Sequence, residues 1–287
     1  MLDFEPIRLS HKDMYKFYTL NNRTSESSFT AMFSWSHKNK IKLAERDGFL
    51  YRLADVEKPF YLFPLGGDHE RALAVIERDA KERSYQLIYK AVTEEQKALM
   101  GDSYTFTENR GAADYIYGAR DLIELRGRAY HSKRNFISRF ERDNEWSYED
   151  ITDDNINEVW EFQDKWCRKN DCASNVGLQE EATCIAVLLY NLENLDAYGG
   201  LLRAGGKAAA FTLGSRVGEE TLEVHVEKAD YDITGVYQMI NREFARRHAA
   251  DLRFINREED LGIENLRKAK LSYHPCEIAM KYTAVKR

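Results

Sequence analysis

The chain has 287 residues with 42 basic and 48 acidic side chains, so its formal net charge is −6. Hydrophobic residues make up 43% of the chain and aromatic residues 12%, which excludes global disorder and predicts a packed core. The length corresponds to about two domains, and the negative balance argues against stable DNA binding.

The longest apolar run, residues 185–190, is far shorter than the roughly 20 residues that span a bilayer. The first 25 residues carry charges throughout and lack the apolar core of a secretory signal, so we expect a cytoplasmic protein. The four cysteines show neither zinc-ligand spacing nor a disulfide framework. We expect buried or incidental thiols, and no metal site.

The first half of the chain predicts a series of short elements. A hairpin over residues 40–53 turns at Arg46-Asp-Gly48, and a strand follows over 60–63. Gly66-Gly67 then leads into a helix over 70–83, and a strand over 85–89 and a helix over 94–100 complete the series.

The middle of the chain predicts a helix over 122–140, with an apolar stripe formed by Leu125, Ala129, Phe136 and Phe140. Its basic segment, residues 125–140, contains no acidic residue. A solvated helix face explains such a segment, and so does an anion site with Arg126, Lys133 and Arg134 at the rim of an inter-domain cleft. A second helix is predicted over 155–169 behind Thr152-Asp-Asp, whose side chains suit a helix N-cap.

The second half repeats the order of the first. It predicts a hairpin over 198–216, strands over 221–227, 252–256 and 277–285, and helices that begin at Gly235 and span 263–273. Hairpin, strand, glycine turn, helix, strand and helix thus occur twice. The sequence therefore predicts an α+β fold with mostly antiparallel sheets flanked by helices, divided into domains at 1–145 and 146–287.

The strand over 221–227 carries the side chains best suited to acid–base catalysis. Strict alternation places Glu223, His225 and Glu227 on one face. Carboxylates and an imidazole are costly to bury without partners, so this face is either an ordinary solvated surface or a polar cleft. In a cleft, Glu227 or His225 would serve as a general base.

Two glycine turns precede helices and are candidate phosphate sites, because free amides and the helix dipole favour an anion there. They are Pro64-Leu-Gly-Gly67 and the start of the second-half helix, Thr234, Gly235, Val236 and Tyr237. A plain turn explains either one. At the second, Lys228 adds a cation just upstream, whereas Asp230 and Asp232 oppose an anion unless they turn away.

Several segments carry a family resemblance. They are His225-Val-Glu-Lys-Ala-Asp230, Gly235-Val-Tyr-Gln-Met-Ile-Asn241, Ile255-Asn-Arg-Glu-Glu-Asp-Leu-Gly262, Leu266-Arg-Lys-Ala-Lys-Leu-Ser-Tyr-His-Pro275 and Leu125-Arg-Gly-Arg-Ala-Tyr-His-Ser-Lys-Arg-Asn135. The chain resembles a bacterial family similar to the catalytic domain of phosphatidylglycerol lysyltransferases and, more remotely, Fem-type peptidyltransferases.

The resemblance implies two tandem acyltransferase folds of the GNAT type and a donor that is acyl-coenzyme A or aminoacyl-tRNA. Where the lysyltransferase strand ends with an Asp and an Arg three residues apart, this chain has His225 and Lys228. The lysine of the last helix is kept as Lys270. We assign His225, Glu227, Lys228 and Lys270 to catalysis, and the segment 234–237 to the donor.

We assign Arg126, Lys133, Arg134, Asn241 and Arg257 to substrate or anion binding. The expected activity moves an acyl or aminoacyl group to an amine or hydroxyl acceptor, with no tightly bound cofactor. Two alternatives stay open. One is a catalytically silent protein that binds acyl-coenzyme A, and the other is a tRNA-binding protein that uses residues 125–140.

Overall fold

The computed structural model describes residues 1–287 and contains two β-sheets with helices packed on their faces. The strands of the first half are β1 (Glu5–Pro6), β2 (Ile41–Arg46), β3 (Phe49–Ala54), β4 (Phe60–Tyr61), β5 (Leu65–Gly66), β6 (Ile88–Val92), β7 (Tyr104–Glu108) and β8 (Asp114–Gly118). Those of the second half are β9 (Trp146–Asp150), β10 (Ala197–Ala204), β11 (Lys207–Val217), β12 (Thr221–Ala229), β13 (Phe254–Asn256), β14 (Glu277–Ala279) and β15 (Tyr282–Lys286).

Eleven α-helices accompany the strands. They are α1 (Lys12–Thr19), α2 (Phe29–Ser34), α3 (Ser36–Asn39), α4 (His69–Glu82), α5 (Glu94–Met100), α6 (Ala119–Glu124), α7 (His131–Asp143), α8 (Ile156–Lys169), α9 (Val176–Tyr190), α10 (Val236–His248) and α11 (Glu264–Leu271). None of these helices has the length and apolar character needed to cross a membrane.

The two halves repeat one order of elements, as predicted. The hairpin β2–β3, strand β4, helix α4, strand β6 and helix α5 correspond to β10–β11, β12, α10, β13 and α11. The sheets match as well, with orders β1-β2-β3-β4-β6-β15-β7 and β9-β10-β11-β12-β13-β8-β14. In each sheet the central pair, β4 with β6 or β12 with β13, is parallel, and its neighbours are antiparallel.

Each half gives its last strand to the sheet of the other half. Strand β8 lies between β13 and β14 of the second sheet, whereas β15 lies between β6 and β7 of the first. The single strand predicted over 277–285 is therefore wrong, because β14 and β15 belong to different sheets. The division at residue 145 remains a prediction, and both exchanged strands cross it.

Three apolar cores hold these layers together. One packs α6, α7 and α10 against the second sheet, and another packs α4 against the first. The core between them contains side chains from both sheets and from α1, α2, α8 and α9, so it joins the two halves. This packing fixes the two sheets relative to each other.

The middle of the chain differs from the predicted single helix over 122–140. Helix α6 ends at Leu125, whose φ is +50°, and α7 begins only at His131. Leu125 and Phe140 are buried as expected, but Ala129 lies exposed in the connection and Phe136 is 43% exposed. Ile137 takes the core position that the stripe assigned to Phe136.

Two cysteines also differ from expectation, because Cys167 and Cys172 form a disulfide. Helix α8 ends before Asp171, whose left-handed backbone turns the chain back. The two Cα atoms consequently lie 5.0 Å apart, within the range of a disulfide. Cys184 and Cys276 remain free thiols.

Candidate active site

A polar cleft opens in the second half, where β12 and β13 stop pairing. Their parallel ladder covers only Thr221–Glu223 and Phe254–Asn256, after which β12 continues to Ala229 paired with β11 alone. Glu227 lies on this part of β12, Arg257 directly follows β13, and Asn241 faces them from α10. The break in the ladder thus brings together residues that lie up to 30 positions apart.

A β-bulge decides which side chains of β12 enter the cleft. Leu213 pairs with Val226 and Gly214 with Val224, so His225 is an extra residue without a partner on β11. An extra residue reverses the alternation beyond it. Glu223 and His225 therefore face the side opposite to Glu227, and the prediction of one shared face is wrong.

Glu227 is held in the cleft by two side chains. Its Oε1 accepts a hydrogen bond from Arg257 Nη2 at 3.0 Å, and its Oε2 accepts one from Asn241 Nδ2 at 3.2 Å. Both Glu227 and Arg257 keep 12% of their side-chain surface exposed. Arg257 Nη1 and Asn241 Oδ1 are buried and have no hydrogen-bond partner, so one donor and one acceptor flank the carboxylate.

Lys133, from α7, adds a second cation to this cleft. Its Nζ donates to Ser272 Oγ at 2.6 Å and lies 4.0 Å from the centre of the Tyr273 ring. Arg257 lies 5.0 Å from the centre of the same ring, so both cations contact Tyr273. Burial, together with the positive charge of Arg257, lowers the pKa of Lys133 to about 8.

Lys270 supports the cleft from behind. Its Nζ donates to the carbonyl oxygens of Arg257, Glu258 and Glu259 at 2.5, 3.1 and 2.5 Å. Burial and the nearby Arg257 lower the pKa of Lys270 to about 8. All three donor positions of the ammonium group are used. Lys270 therefore holds the segment that carries Arg257 and has no free hydrogen for a substrate.

Two of the predicted catalytic residues lie outside the cleft. His225 is almost fully buried, and its Nδ1 and Nε2 lie 2.8 Å from Glu258 Oε1 and Ser215 Oγ. Lys228 donates to Glu181 Oε2 at 2.6 Å and lies over the Trp166 ring. Both side chains are engaged by other residues, and their assignment to catalysis remains a prediction.

The predicted donor loop precedes α10. Gly235 has a φ of +84°, and a Cβ at this position would collide with the carbonyl oxygen of Phe136 on α7. The glycine therefore allows the close packing of α7 and α10, whereas the sequence predicts that it allows close approach of the donor. Val236 is buried in the core. The amides of Tyr237 and Gln238 donate to no carbonyl of the preceding loop.

The two aspartates of this loop pair with a lysine from α8. Lys169 Nζ donates to Asp230 Oδ1 at 2.7 Å and to Asp232 Oδ2 at 2.6 Å. The same ammonium group lies over the Tyr231 ring. Lys169 at the end of α8 thus pairs with both aspartates and offsets one of their two negative charges. Thr234 follows them just before the helix start.

Of the predicted basic trio, only Lys133 reaches the cleft. Arg126 is largely exposed and pairs with Glu124. Arg134 donates to the carbonyl oxygens of Leu125 and Gly127, so it closes the break between α6 and α7. The guanidinium groups of Arg126 and Arg134 thus lie at the helix break, outside the cleft, and their assignment to anion binding remains a prediction.

The corresponding place in the first half, where β4 and β6 pair, holds the rings of Tyr61 and Tyr89 side by side. The carboxylate of Asp68 caps the start of α4 by accepting from the Arg71 amide, which leaves the Gly66-Gly67 turn less suited to an anion. The first half thus has a tyrosine pair beside its parallel ladder, whereas the second half has the pair of Glu227 and Arg257.

Tyr273 and Ser272, which position the two cations, are functional candidates that sequence reasoning missed. The apolar spacing predicts Tyr273 on the face of a helix over 263–273, yet α11 ends at Leu271 and both residues lie just beyond it. The sequence does hold one signal, since both belong to the motif Leu266–Pro275 that carried the family resemblance.

Comparison with known proteins begins with a family model. Residues 17–285 match the model described as phosphatidylglycerol lysyltransferase, C-terminal. The match covers nearly the whole chain and therefore includes both halves and the cleft.

Three solved structures are similar to this chain. A conserved protein of unknown function from Bacteroides thetaiotaomicron is 38% identical and has a TM-score of 0.96, with 100% of both chains covered. L-PGS from Bacillus licheniformis is 15% identical over 98% of this chain and 93% of its own, with a TM-score of 0.68. A tandem GNAT protein from the clavulanic acid biosynthesis pathway is 12% identical over 99% and 98%, with a TM-score of 0.50. These likenesses confirm the tandem GNAT-like fold.

Among curated proteins, the chain is 24% identical over 182 residues to the uncharacterized protein MYCGA3080 of Mycoplasmoides gallisepticum. The alignment covers 61% of this chain and 56% of that protein, so the chain spans little more than half the length of this relative.

Proposed function

The chain belongs to the phosphatidylglycerol lysyltransferase C-terminal family, and from this premise we propose that it is an acyltransferase whose active site is the cleft at Glu227. The donor is an activated acyl or aminoacyl ester that carries phosphate, either acyl-coenzyme A or aminoacyl-tRNA. The acceptor is an amine or a hydroxyl. The observation that carries the proposal is the Glu227 carboxylate flanked by an unpartnered Arg257 Nη1 and an unpartnered Asn241 Oδ1.

The chemistry needs a base beside an oxyanion donor. Glu227 takes the proton from the acceptor as its nitrogen or oxygen attacks the donor's carbonyl carbon. Arg257 Nη1 donates to the oxygen that becomes negative in the tetrahedral intermediate. The bond from the acyl carbon to the leaving group then breaks, and the coenzyme A thiol or the tRNA ribose hydroxyl recovers the proton. Asn241 Oδ1 orients the acceptor's N–H or O–H.

The phosphate-bearing part of the donor lies toward α10 and α7. The free amides of Tyr237 and Gln238 and the buried ammonium group of Lys133 suit this part. Lys270 is a positioning residue, because it acts through the carbonyl oxygens of residues 257–259 and so through Arg257.

The test supplies both donor classes to the purified chain. One arm uses a mixture of acyl-coenzyme A esters, and the other uses bulk bacterial tRNA charged with amino acids. Each arm contains phosphatidylglycerol vesicles and free amines as acceptors. We expect one donor class to be consumed, with the matching acylated product detected by mass spectrometry.

Glu227→Gln should lower the rate of this transfer by about 100-fold or more, the usual contribution of a general base. The matched control is Glu219→Gln, an exposed position outside the cleft that should leave the rate unchanged. Tight donor binding without consumption would instead favour the silent binding protein. Transfer that survives Glu227→Gln would remove the cleft from the mechanism.

A further inference from the structure

A second polar cluster lies on the other side of β12 from Glu227. Glu223 and His225 come from β12, and Glu258 comes from the segment after β13. One ligand-type atom from each residue lies within 4.8 Å of the other two. His225 Nδ1 is 2.8 Å from Glu258 Oε1 and 3.7 Å from Glu223 Oε2.

Glu223 is the residue in this cluster that the protein alone does not satisfy. Its side chain is 0% exposed, and neither carboxylate oxygen has a hydrogen-bond partner. A buried polar group without a partner is costly, and it points to a ligand that the chain itself does not supply. Glu223 Oε2 lies 3.7 Å from His225 Nδ1, on the side of β12 where His225 and Glu258 meet.

The surroundings of His225 fix its orientation. Without an ion, Nδ1–H donates to Glu258 Oε1 at 2.8 Å and Nε2 accepts from the Ser215 hydroxyl at 2.8 Å. If an ion took the place of the Nδ1 proton, the remaining ring proton would lie at Nε2 and donate to Ser215 Oγ. A ring that donates its second nitrogen in this way is typical of histidine ligands. The backbone of Glu258 is fixed by its amide, which donates to Asn256 Oδ1 at 2.7 Å, and by the bond from Lys270.

We propose that Glu223, His225 and Glu258 bind one divalent cation of the Zn²⁺ or Mn²⁺ type. Imidazole nitrogen with carboxylate oxygen suits these ions. Ligand bonds of about 2.1 Å place ligand atoms about 3 to 3.5 Å apart, and the observed 2.8 and 3.7 Å lie on either side of that range. Glu258 keeps 16% of its side chain exposed, which gives the ion a route of entry.

The cation would join the two strands where their ladder ends. It links Glu223 and His225 of β12 to Glu258, the residue directly after the cleft's Arg257. The proposal is independent of acyl transfer, because metal binding is measured without donor or acceptor.

The experiment uses the full chain, stripped of metal with a chelator and then titrated with Zn²⁺ alone and Mn²⁺ alone by calorimetry. We expect one equivalent of at least one ion to bind and to raise the unfolding temperature. Glu223→Gln and Glu258→Gln should each weaken binding by at least 100-fold. Ser215→Ala, which frees the histidine ring, should weaken it by about 10- to 100-fold.

The matched control is His131→Gln, an exposed histidine remote from the cluster that should leave binding unchanged. Binding of neither ion to the folded parent would overturn the proposal. Binding that persists in both glutamine variants would overturn it too, since it would place the ion elsewhere. If Glu223→Gln fails to fold, the partly exposed Glu258→Gln decides the question alone.

Discussion

Lys133 is a cationic residue whose side chain is buried in the fold. Its side chain is 8% exposed, and its Nζ has one hydrogen-bond partner, Ser272 Oγ. Two donor positions of the ammonium group thus remain for a ligand. Since burial and Arg257 lower its pKa from 10.5 to about 8, its charge changes within the range in which the protein can be assayed.

Donor binding should therefore weaken as the pH rises through about 8. Below this pH Lys133 is charged and attracts the donor's phosphate, and above it the attraction is lost. Lys133→Met should bind the donor about 10-fold more weakly at pH 7 and should lose the pH dependence. Calorimetry with the donor across pH 6.5–9.5 measures both. Because Lys270 also titrates near pH 8, a dependence that persists in Lys133→Met would assign it to Lys270.

The same shift has the opposite sign for stability. The unfolded chain keeps the Lys133 proton up to about pH 10, whereas the folded chain releases it near pH 8. Stability should therefore rise with pH between these values, by the linkage of proton binding to folding. Urea unfolding of the parent and Lys133→Met at pH 7.5 and 9.5 would show a smaller rise in the variant.

For individual residues of β12, the sequence indicates which side chains can do acid–base chemistry but not which side of the strand each one faces. Alternation along β12 predicts Glu227 as a candidate general base, and this role remains a prediction. It could not show that an extra residue at His225 turns Glu223 and His225 to the opposite side, because a bulge depends on the pairing with β11. The cluster with Glu258 was missed for the same reason, since its members meet only in the folded sheet.

At the scale of elements, Gly235 joins two helices. It begins α10 in a left-handed conformation, and its Cα approaches the backbone of α7 at Phe136. Glycine accepts this φ without strain and leaves room for the neighbouring carbonyl. The relative position of α7 and α10, and hence of Lys133 and Asn241 across the cleft, depends on this contact.

Gly235→Ala should destabilise the protein more than Gly262→Ala. Both glycines have positive φ, so both variants carry backbone strain of about 1–2 kcal/mol. Only the Cβ at Gly235 meets another atom, which adds about 1–3 kcal/mol of overpacking. Urea unfolding of the two variants gives the difference. If the two variants lost equal free energy of unfolding, α7 would have moved away from the new Cβ without a measurable cost, which would contradict the prediction.

The break between α6 and α7 is a helix boundary that the apolar periodicity of the sequence does not predict. The apolar spacing from Leu122 to Phe140 fits one helix, yet Leu125 adopts a left-handed conformation and Arg134 holds the carbonyl groups of the break. Gly127 within the segment was a local sign of a break. The tertiary contacts of α10 with both α6 and α7 favour two shorter helices. Such contacts cannot be read from the spacing of apolar residues along the sequence.

At the scale of the whole molecule, the exchanged strands tie the halves together. Lys281 directly precedes β15, and Asp114 begins β8. Lys281 Nζ donates to Asp114 Oδ1, Ser25 Oγ and Glu26 Oε1, each at 2.8 Å. Although burial lowers the pKa of Lys281, the carboxylates of Asp114 and Glu26 raise it above its ordinary value. The crossing point is thus a buried ionic cluster.

We expect the two halves to unfold in one transition. Lys281→Met should lower the free energy of unfolding by about 3–5 kcal/mol, because the substitution leaves buried carboxylates unpaired. Adding Asp114→Asn should restore part of that loss. Lys286→Met, at a half-exposed ion pair on β15, should cost less than about 1 kcal/mol. Chemical denaturation followed by two probes tests this. Two separate transitions, or equal losses at Lys281 and Lys286, would contradict it.

The repeated order of hairpin, strand, helix, strand and helix was predictable because each element has its own local pattern. The exchange of β8 and β15 was not, because a strand's sequence shows that it pairs without showing with which sheet. The segment 277–285 illustrates this, since its two strands look continuous and yet belong to different sheets.

The most direct measurement is a crystal structure of the protein with donor bound, using a non-hydrolysable acyl-coenzyme A analogue in one crystal and an aminoacylated RNA minihelix in another. The account predicts that a donor phosphate lies within hydrogen-bond distance of the Tyr237 and Gln238 amides. It also predicts that the acyl end points to Glu227 and Arg257. A donor bound at the start of α4 in the first half, or with its acyl end outside the Glu227 cleft, would contradict it.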